Sequence, residues 1–284
     1  MTILNQQGRI RRGASKFASA PVSAKVGIVI VIFYVLAAIL APHLAPYGEA
    51  EIVGSEFEPW STSFLLGTDN LGRDMFTRLL FGARNTIGIA LVTTTLAFSI
   101  GATAGLAAAT FGGWQDQILS RLVDVLMSIP QLIFALLLLS FFGTSIPTLI
   151  IVIAVLDSTR VFRLTRAVAF NASVSDYVEV ARLRGEGAIW IMTREILPNI
   201  APILIGEFGL RFCFVFLLIS GLSFLGLGIQ PPTADWGSMV RDTATLIVYG
   251  DVTPLLPAGA IALLAVAVNL VVDWLLHSAS GLKE

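Results

Sequence analysis

Two charged residues sit where an apolar chain can least accommodate them. Glu207 and Arg211 interrupt an otherwise apolar run from about Ile200 to Leu225, and an ionisable group at the centre of a membrane helix costs on the order of 2.5–3.5 kcal/mol. Their i, i+4 spacing, acid first, favours mutual pairing on one helix face. Two readings stand: an ion pair that only neutralises itself, or a pair that faces a cavity or a partner. A second constellation lies just upstream, at 173–198. Ser173 and Asp176 have the spacing of a capping box, with Ser175 as an alternative N-cap. Tyr177, Ala181 and Arg184 share one helical face with Val180 beside them, and Gly185 supplies the stop expected at a helix C′ position. A second helical stretch starts at Ala188 and is expected to end at Pro198. The small Ala181 and the bare Gly185 let another backbone come close, which suits docking into a groove on a partner. An amphipathic helix resting on lipid is the plainer alternative.

Catalytic constellations are missing. The single cysteine, Cys213, excludes an intrachain disulfide and any multi-cysteine metal site. His43 and His277 stand far apart, and no His-Glu-x-x-His exists. Ser220-Gly221 lacks the leading glycine of an intramembrane serine protease, being preceded by Leu218-Ile219. None of the lysines, Lys16, Lys25 and Lys283, follows glycine, so the chain has no P-loop and cannot bind ATP in that way. A net charge of −1 gives no basis for nucleic-acid binding.

The elements that position these residues follow from composition. The 284 residues are 56% hydrophobic and only 13% charged, with a mean hydropathy of +0.84. Too few charges remain to cover a soluble fold, so the expected class is an all-α integral membrane protein. Charge-free intervals predict six transmembrane helices: Val26 to Leu44, Ile87 to Phe111, two between Asp124 and Asp157 separated near Gly143 to Pro147, Ile200 to Leu225, and Leu255 to Leu276. The resulting organisation is a basic tail at 1–25, a first transmembrane helix at 26–46, an extracytoplasmic loop at 47–84 and a five-helix core at 85–284. The first apolar run is too long for a cleaved signal peptide. Arg9, Arg11, Arg12, Lys16 and Lys25 place the amino terminus in the cytoplasm, and alternation from there puts 112–124, 157–199 and the carboxyl end inside, with thirteen of the 18 basic residues. On this scheme Arg160, Arg163 and Arg166 serve as positive-inside anchors or attract acidic groups of a partner. Gly101 and Gly105 predict close helix packing. Asp69, Arg73 and Asp74 predict a local charge network. Trp60, Trp114 and Trp236 fall near expected interfaces.

Glu179-Val180-Ala181, three residues, Gly185, nine residues, then Glu195-Ile196-Leu197-Pro198 resembles the "EAA" loop of ABC importer permeases. The chain departs from that pattern at Val180 for Ala and Glu195 for Ile. Further blocks resemble the second membrane subunit of the dipeptide/oligopeptide/nickel group: Leu66 to Asp74 with Arg78 to Arg84, Gly112 to Pro130, and Gly221 to Pro232 followed by Asp235-Trp236-Gly237. The glycine usual before the acid of helix six is missing from Asn269 to Asp273. The resemblance implies a type I ABC importer permease fold with a cytoplasmic coupling helix. Tyr177, Glu179, Ala181, Arg184, Gly185, Leu197 and Pro198 would then dock the ATPase, and Glu207 and Arg211 are candidates for the translocation path. It implies a heterodimer with a homologous permease, two cytoplasmic ATP-binding subunits, an extracytoplasmic substrate-binding protein and a multi-pass place in the inner membrane, both termini cytoplasmic. ATP and magnesium would bind the partner ATPases, with no cofactor in this chain. Peptides are the expected cargo, with nickel chelates, opines or sugars as alternatives.

Overall fold

The computed structural model describes residues 20–280; the basic tail before Ala20 and Lys283 lie outside the described residues, as do the expectations placed on them. Among the described residues the fold is entirely helical, with no strand. The elements are α1 (Val22–Leu44), α2 (Met75–Phe111), α3 (Gly113–Met127), α4 (Gln131–Phe142), α5 (Ile146–Ser173), α6 (Asp176–Leu183), α7 (Ala188–Phe224), α8 (Trp236–Thr243) and α9 (Leu255–Ser280). Four of them, α1, α2, α7 and α9, are long and apolar enough to cross a membrane.

Three spans differ from the expectation. The helix α2 begins at Met75, twelve residues before Ile87. Its N-cap is the Asp74 carboxylate, which accepts the Thr77 N–H at 2.8 Å, as aspartate does at that position. The first turns of α2 carry Arg78 and Arg84, charges that a search for charge-free runs reads as loop. The third span is not one helix: α3 and α4 meet at 85°, because Pro130 cannot continue a helix and biases Ile129 away from helical backbone. At about 1.5 Å per residue, the twelve residues of α4 are too short to cross alone. The expected short fourth span runs on as α5 for 28 residues, straight past Asp157 to Ser173. Gly143 and Pro147 do separate α4 from α5. The Ser145 hydroxyl accepts the Thr148 N–H at 3.3 Å. Pro147 lies in the first turn of α5, where its missing N–H costs nothing.

The helices α2 and α5 form the central seam. A Cβ on Gly101 would lie 2.5 Å from the Ser158 carbonyl, and one on Gly105 would lie 2.8 Å from that of Phe162. Bare backbone at both positions brings the helices together as the Gly-x-x-x-Gly spacing predicts. Beside the seam, α3 turns its acids toward α5, where Asp124 pairs with Arg163 at 2.7 Å and Asp116 pairs with Arg166. Both arginines are therefore pins between helices and not merely interfacial anchors.

A polar cap closes the opposite end from α6. Asp69 accepts the Leu71 and Arg73 N–H groups, pairs with the Arg73 guanidinium at 2.7 Å and meets Arg78 at 3.2 Å. The expected charge network thus forms through Asp69 and Arg73, with Arg78 in place of Asp74. The Glu49 carboxylate accepts both the Asn85 amide, at 2.8 Å, and the Ala234 N–H, at 2.6 Å, tying the loop after α1 to the loop after α7. Trp236 is buried, not interfacial: its indole N–H donates to the Leu79 carbonyl at 2.9 Å and its ring meets Tyr34 edge-on. Asp235 is wholly buried, N-caps α8 through the Ser238 N–H at 2.9 Å and accepts the Thr86 hydroxyl at 2.9 Å. Burial pushes its carboxyl above the usual range, while those hydrogen bonds pull it back.

Two outcomes follow for detergent-purified protein. Gly101→Ala should lose about 1–3 kcal/mol through overpacking. Gly88→Ala, whose Cβ meets open space, should melt no lower than wild type. The raised Asp235 value means the fold holds this proton more tightly than the unfolded chain, so its contribution is complete below the ordinary carboxylate value and is lost as pH climbs through the raised one. The melting temperature of wild type should therefore fall relative to Asp235→Asn as pH rises above the ordinary carboxylate range; a pH-independent difference would sink this account.

Candidate functional site

The helix α6 starts without the expected capping box. Ser175 is the N-cap by backbone conformation alone, and the Ser173 hydroxyl turns back to the Phe170 carbonyl at 2.8 Å. Asp176 and Glu179 in the first turn suit the positive end of the helix. At the other end Gly185 adopts φ +83°. The Gly185 N–H bonds the Arg182 carbonyl at 2.9 Å and the Glu186 N–H bonds that of Ala181 at 3.2 Å. That pairing is a Schellman motif. A Cβ on Gly185 would meet nothing within 4 Å, so glycine is required there by backbone conformation and not by contact.

The two faces of α6 divide differently from the reading that groups Ala181 with Tyr177 as a docking face. Ala181 and Val178 are fully buried against this chain's own Leu106, Ala169, Ala172, Ile196 and Ile200. Ala181 is therefore a packing residue that seats α6 and is not available to a partner. What α6 presents outward is Tyr177, Glu179, Val180 at 52% exposure and Leu183 at 82%. Arg184 is exposed but tethered: its guanidinium meets Glu195 at 3.7 Å and lies 5.9 Å over the Trp190 ring. Glu195, one of the departures from the family pattern, thus gives Arg184 an acid on the next limb.

That limb does not stop at Pro198. Ala188–Phe224 is one continuous helix of 37 residues, with Ile191–Ile196 in π conformation and the Leu197 N–H bonded to the Met192 carbonyl. The wider turn ahead of the proline changes the hydrogen-bond register where Pro198 has no N–H to give. Leu197 packs inward beside Ile196, and Pro198 is exposed. The segment carrying α6 is thus a turn between two long helices, α5 and α7.

Both long helices carry charge at depth. The Arg211 Nε lies 2.7 Å from Glu207 on the same helix, as the spacing predicts. Its Nη1 also lies 3.6 Å from the Asp157 carboxylate on α5. Its guanidinium sits 4.8 Å over the Phe214 ring, a cation–π contact. The pair is therefore not purely intrahelical but part of a triad joining α5 to α7. Asp157 is the residue that sequence reasoning missed: a charge ending an apolar run reads as the start of a loop. The signal that finds it is the continued helical pattern beyond, through Val161, Phe162, Thr165 and Ala169, all buried on one side.

Known proteins are similar to this chain along most of its length. A family profile described as "Binding-protein-dependent transport system inner membrane component" matches residues 100–278. A second, "N-terminal TM domain of oligopeptide transport permease C", matches residues 22–57. A putative peptide transport system permease protein of Brucella suis biovar 1 is 38% identical over 229 residues, covering 80% of this chain and 76% of its own. The peptide transport system permease protein SapC of Escherichia coli O6:H1 is 33% identical over 273 residues, covering 94% and 92%.

Removing Arg211 alone would strand two carboxylates in the bundle. Arg211→Ala should destabilise by about 3–5 kcal/mol in thermal melts, and the triple change Asp157→Asn, Glu207→Gln, Arg211→Met should recover most of that loss.

Proposed function

The chain belongs to the family of inner membrane components of binding-protein-dependent transport systems, and on that basis we propose that it is one of two permease subunits of an ATP-driven importer of peptides. It is a transport permease and not an enzyme. The partners are a homologous permease, two cytoplasmic ATP-binding subunits that hold ATP and magnesium, and an extracytoplasmic binding protein that delivers cargo. The peptide assignment follows the Brucella and Escherichia relatives, whose names state that cargo.

Six crossings fit the fold when α5 and the bent α3–α4 pair are added to α1, α2, α7 and α9. The abundance of Lys and Arg on one set of connections favours cytoplasmic termini and puts α6 inside. The cap around Asp69, Glu49 and Asp235 then faces outward, toward the binding protein.

The observation that carries the reading is the outward face of α6. A Schellman turn holds it between two helices that run without interruption to the buried triad, while Tyr177, Val180 and Leu183 stay uncovered. An exposed leucine at 82% on a rigidly seated element is suited to insert into a partner. Glu179, Arg184 and Gly185 form its polar rim, whereas Ala181, Leu197 and Pro198 set its shape.

The test is made on the assembled complex in proteoliposomes. ATP hydrolysis should be stimulated by peptide-loaded binding protein, and Leu183→Asp should abolish that stimulation and co-purification of the ATPases with an unchanged melting temperature. Gly185→Asp should lose the same stimulation, with a lowered melting temperature from strain at its left-handed backbone. Uptake driven by a proton or sodium gradient without nucleotide would overturn the reading.

A further inference from the structure

The triad does not balance. Arg211 brings one positive charge to two carboxylates and is held to Glu207 at 2.7 Å, while Asp157 stands off at 3.6 Å with the Gln131 side chain hydrogen-bonded to it and Arg160 one turn on. Asp157 is 1% exposed, and its Oδ2 has no hydrogen-bond partner among the described residues. A buried carboxylate oxygen left in that state is rare and calls for a partner. The same side chain lines a cavity of about 490 Å³ between α4, α5 and α7. That volume falls within the range of roughly 300–1,000 Å³ typical of small-molecule sites.

The rest of the lining has a complementary layout. Arg160, exposed and three residues on from Asp157, lies on the same wall of α5. Gln131 lies at the start of α4, whose first-turn N–H groups carry partial positive charge. Phe214, Leu217 and Leu218 of α7 make the opposite side apolar. An acid and a guanidinium one helical turn apart on one wall, a helix start beside the acid, and an apolar wall facing both match a short zwitterion. Neither Glu207 nor Arg211 is part of this lining.

We propose that this cavity is a binding station for cargo in transit, in which Asp157 takes the protonated amino terminus of a short peptide and Arg160 its carboxylate. The station rests on the reading of the chain as a peptide permease and extends it from the pair Glu207 and Arg211 to a site on the other side of the triad. Asp157 is thereby a cargo-binding residue, and Arg211 a positioning residue that fixes its carboxylate.

The experiment uses the complete transporter in proteoliposomes, with the native thiol removed by Cys213→Ser and a reporter placed at Leu217→Cys. Labelling of the reporter by a neutral methanethiosulfonate is measured against increasing trialanine, N-acetyl-trialanine or trialanine amide. Trialanine should protect, and acetylation should raise the half-protecting concentration about tenfold, as loss of a charged hydrogen bond at a buried site does. Asp157→Asn should remove the penalty for acetylation but keep that for the amide; Arg160→Gln should do the reverse; Asp157→Glu should keep both. Equal protection by all three probes, or an equal weakening of all three in Asp157→Asn, overturns the station. ATP-dependent uptake of trialanine is followed in the same vesicles. Uptake without any protection overturns the station while the permease reading stands, and absence of uptake overturns the peptide reading and the station with it.

Discussion

A guanidinium in an apolar helix bundle must be met by acid, and Arg211 draws its acids from two different helices. Glu207 comes from its own helix at 2.7 Å and Asp157 from α5 at 3.6 Å. Separating these charges in a medium of low polarity is far costlier than separating them at a surface. The contact therefore fixes how α5 and α7 sit against each other at mid-length, and these are the two helices that hold α6 between them. The seam of α2 and α5, drawn close at Gly101 and Gly105, fixes α5 against the remainder of the bundle. Positioning of the α6 turn is thus inherited from two interhelical contacts, one ionic and one made by the absence of side chains.

Much of this was legible in the residue order because it depends on local rules. The turn at Gly185 needs a left-handed residue, and glycine marks it. Glu207 and Arg211 are four apart, so their contact is a matter of helix geometry alone. What stayed hidden depends on neighbours distant in the chain. The early start of α2 rests on Arg78 reaching Asp69 and the Glu49 carbonyl, which lets charge enter a helix that hydropathy would end. The burial of Ala181 reflects Leu106 on α2 and Ile200 on α7, contacts that a heptad-style face assignment on eight residues cannot register. Asp157 was hidden for a related reason: a lone acid ends an apolar run in sequence, while in space it marks an occupied position opposite Arg211.

The cap follows the same logic with neutral and ionic partners mixed. Glu49 joins two connections separated by 185 residues, and the indole of Trp236 closes over the start of α2 through the Leu79 carbonyl. Segments without regular structure satisfy their polar groups on each other and on helix ends. A loop after α1 and a loop after α7 consequently behave as a single ordered lid, although neither is helical over most of its length.

Because α7 runs unbroken from Ala188, its foot and its charged midpoint are parts of one rod. The stretch from Ala188 to Glu207 is roughly 28 Å long at the helical rise of about 1.5 Å per residue. A lever of that length turns a slight tilt about the foot into a displacement of whole ångströms at the midpoint, the same scale as the gaps that separate Arg211 from its two acids. The tilt of α7 at its foot and the spacing of the three charges are thereby linked through the length of one helix.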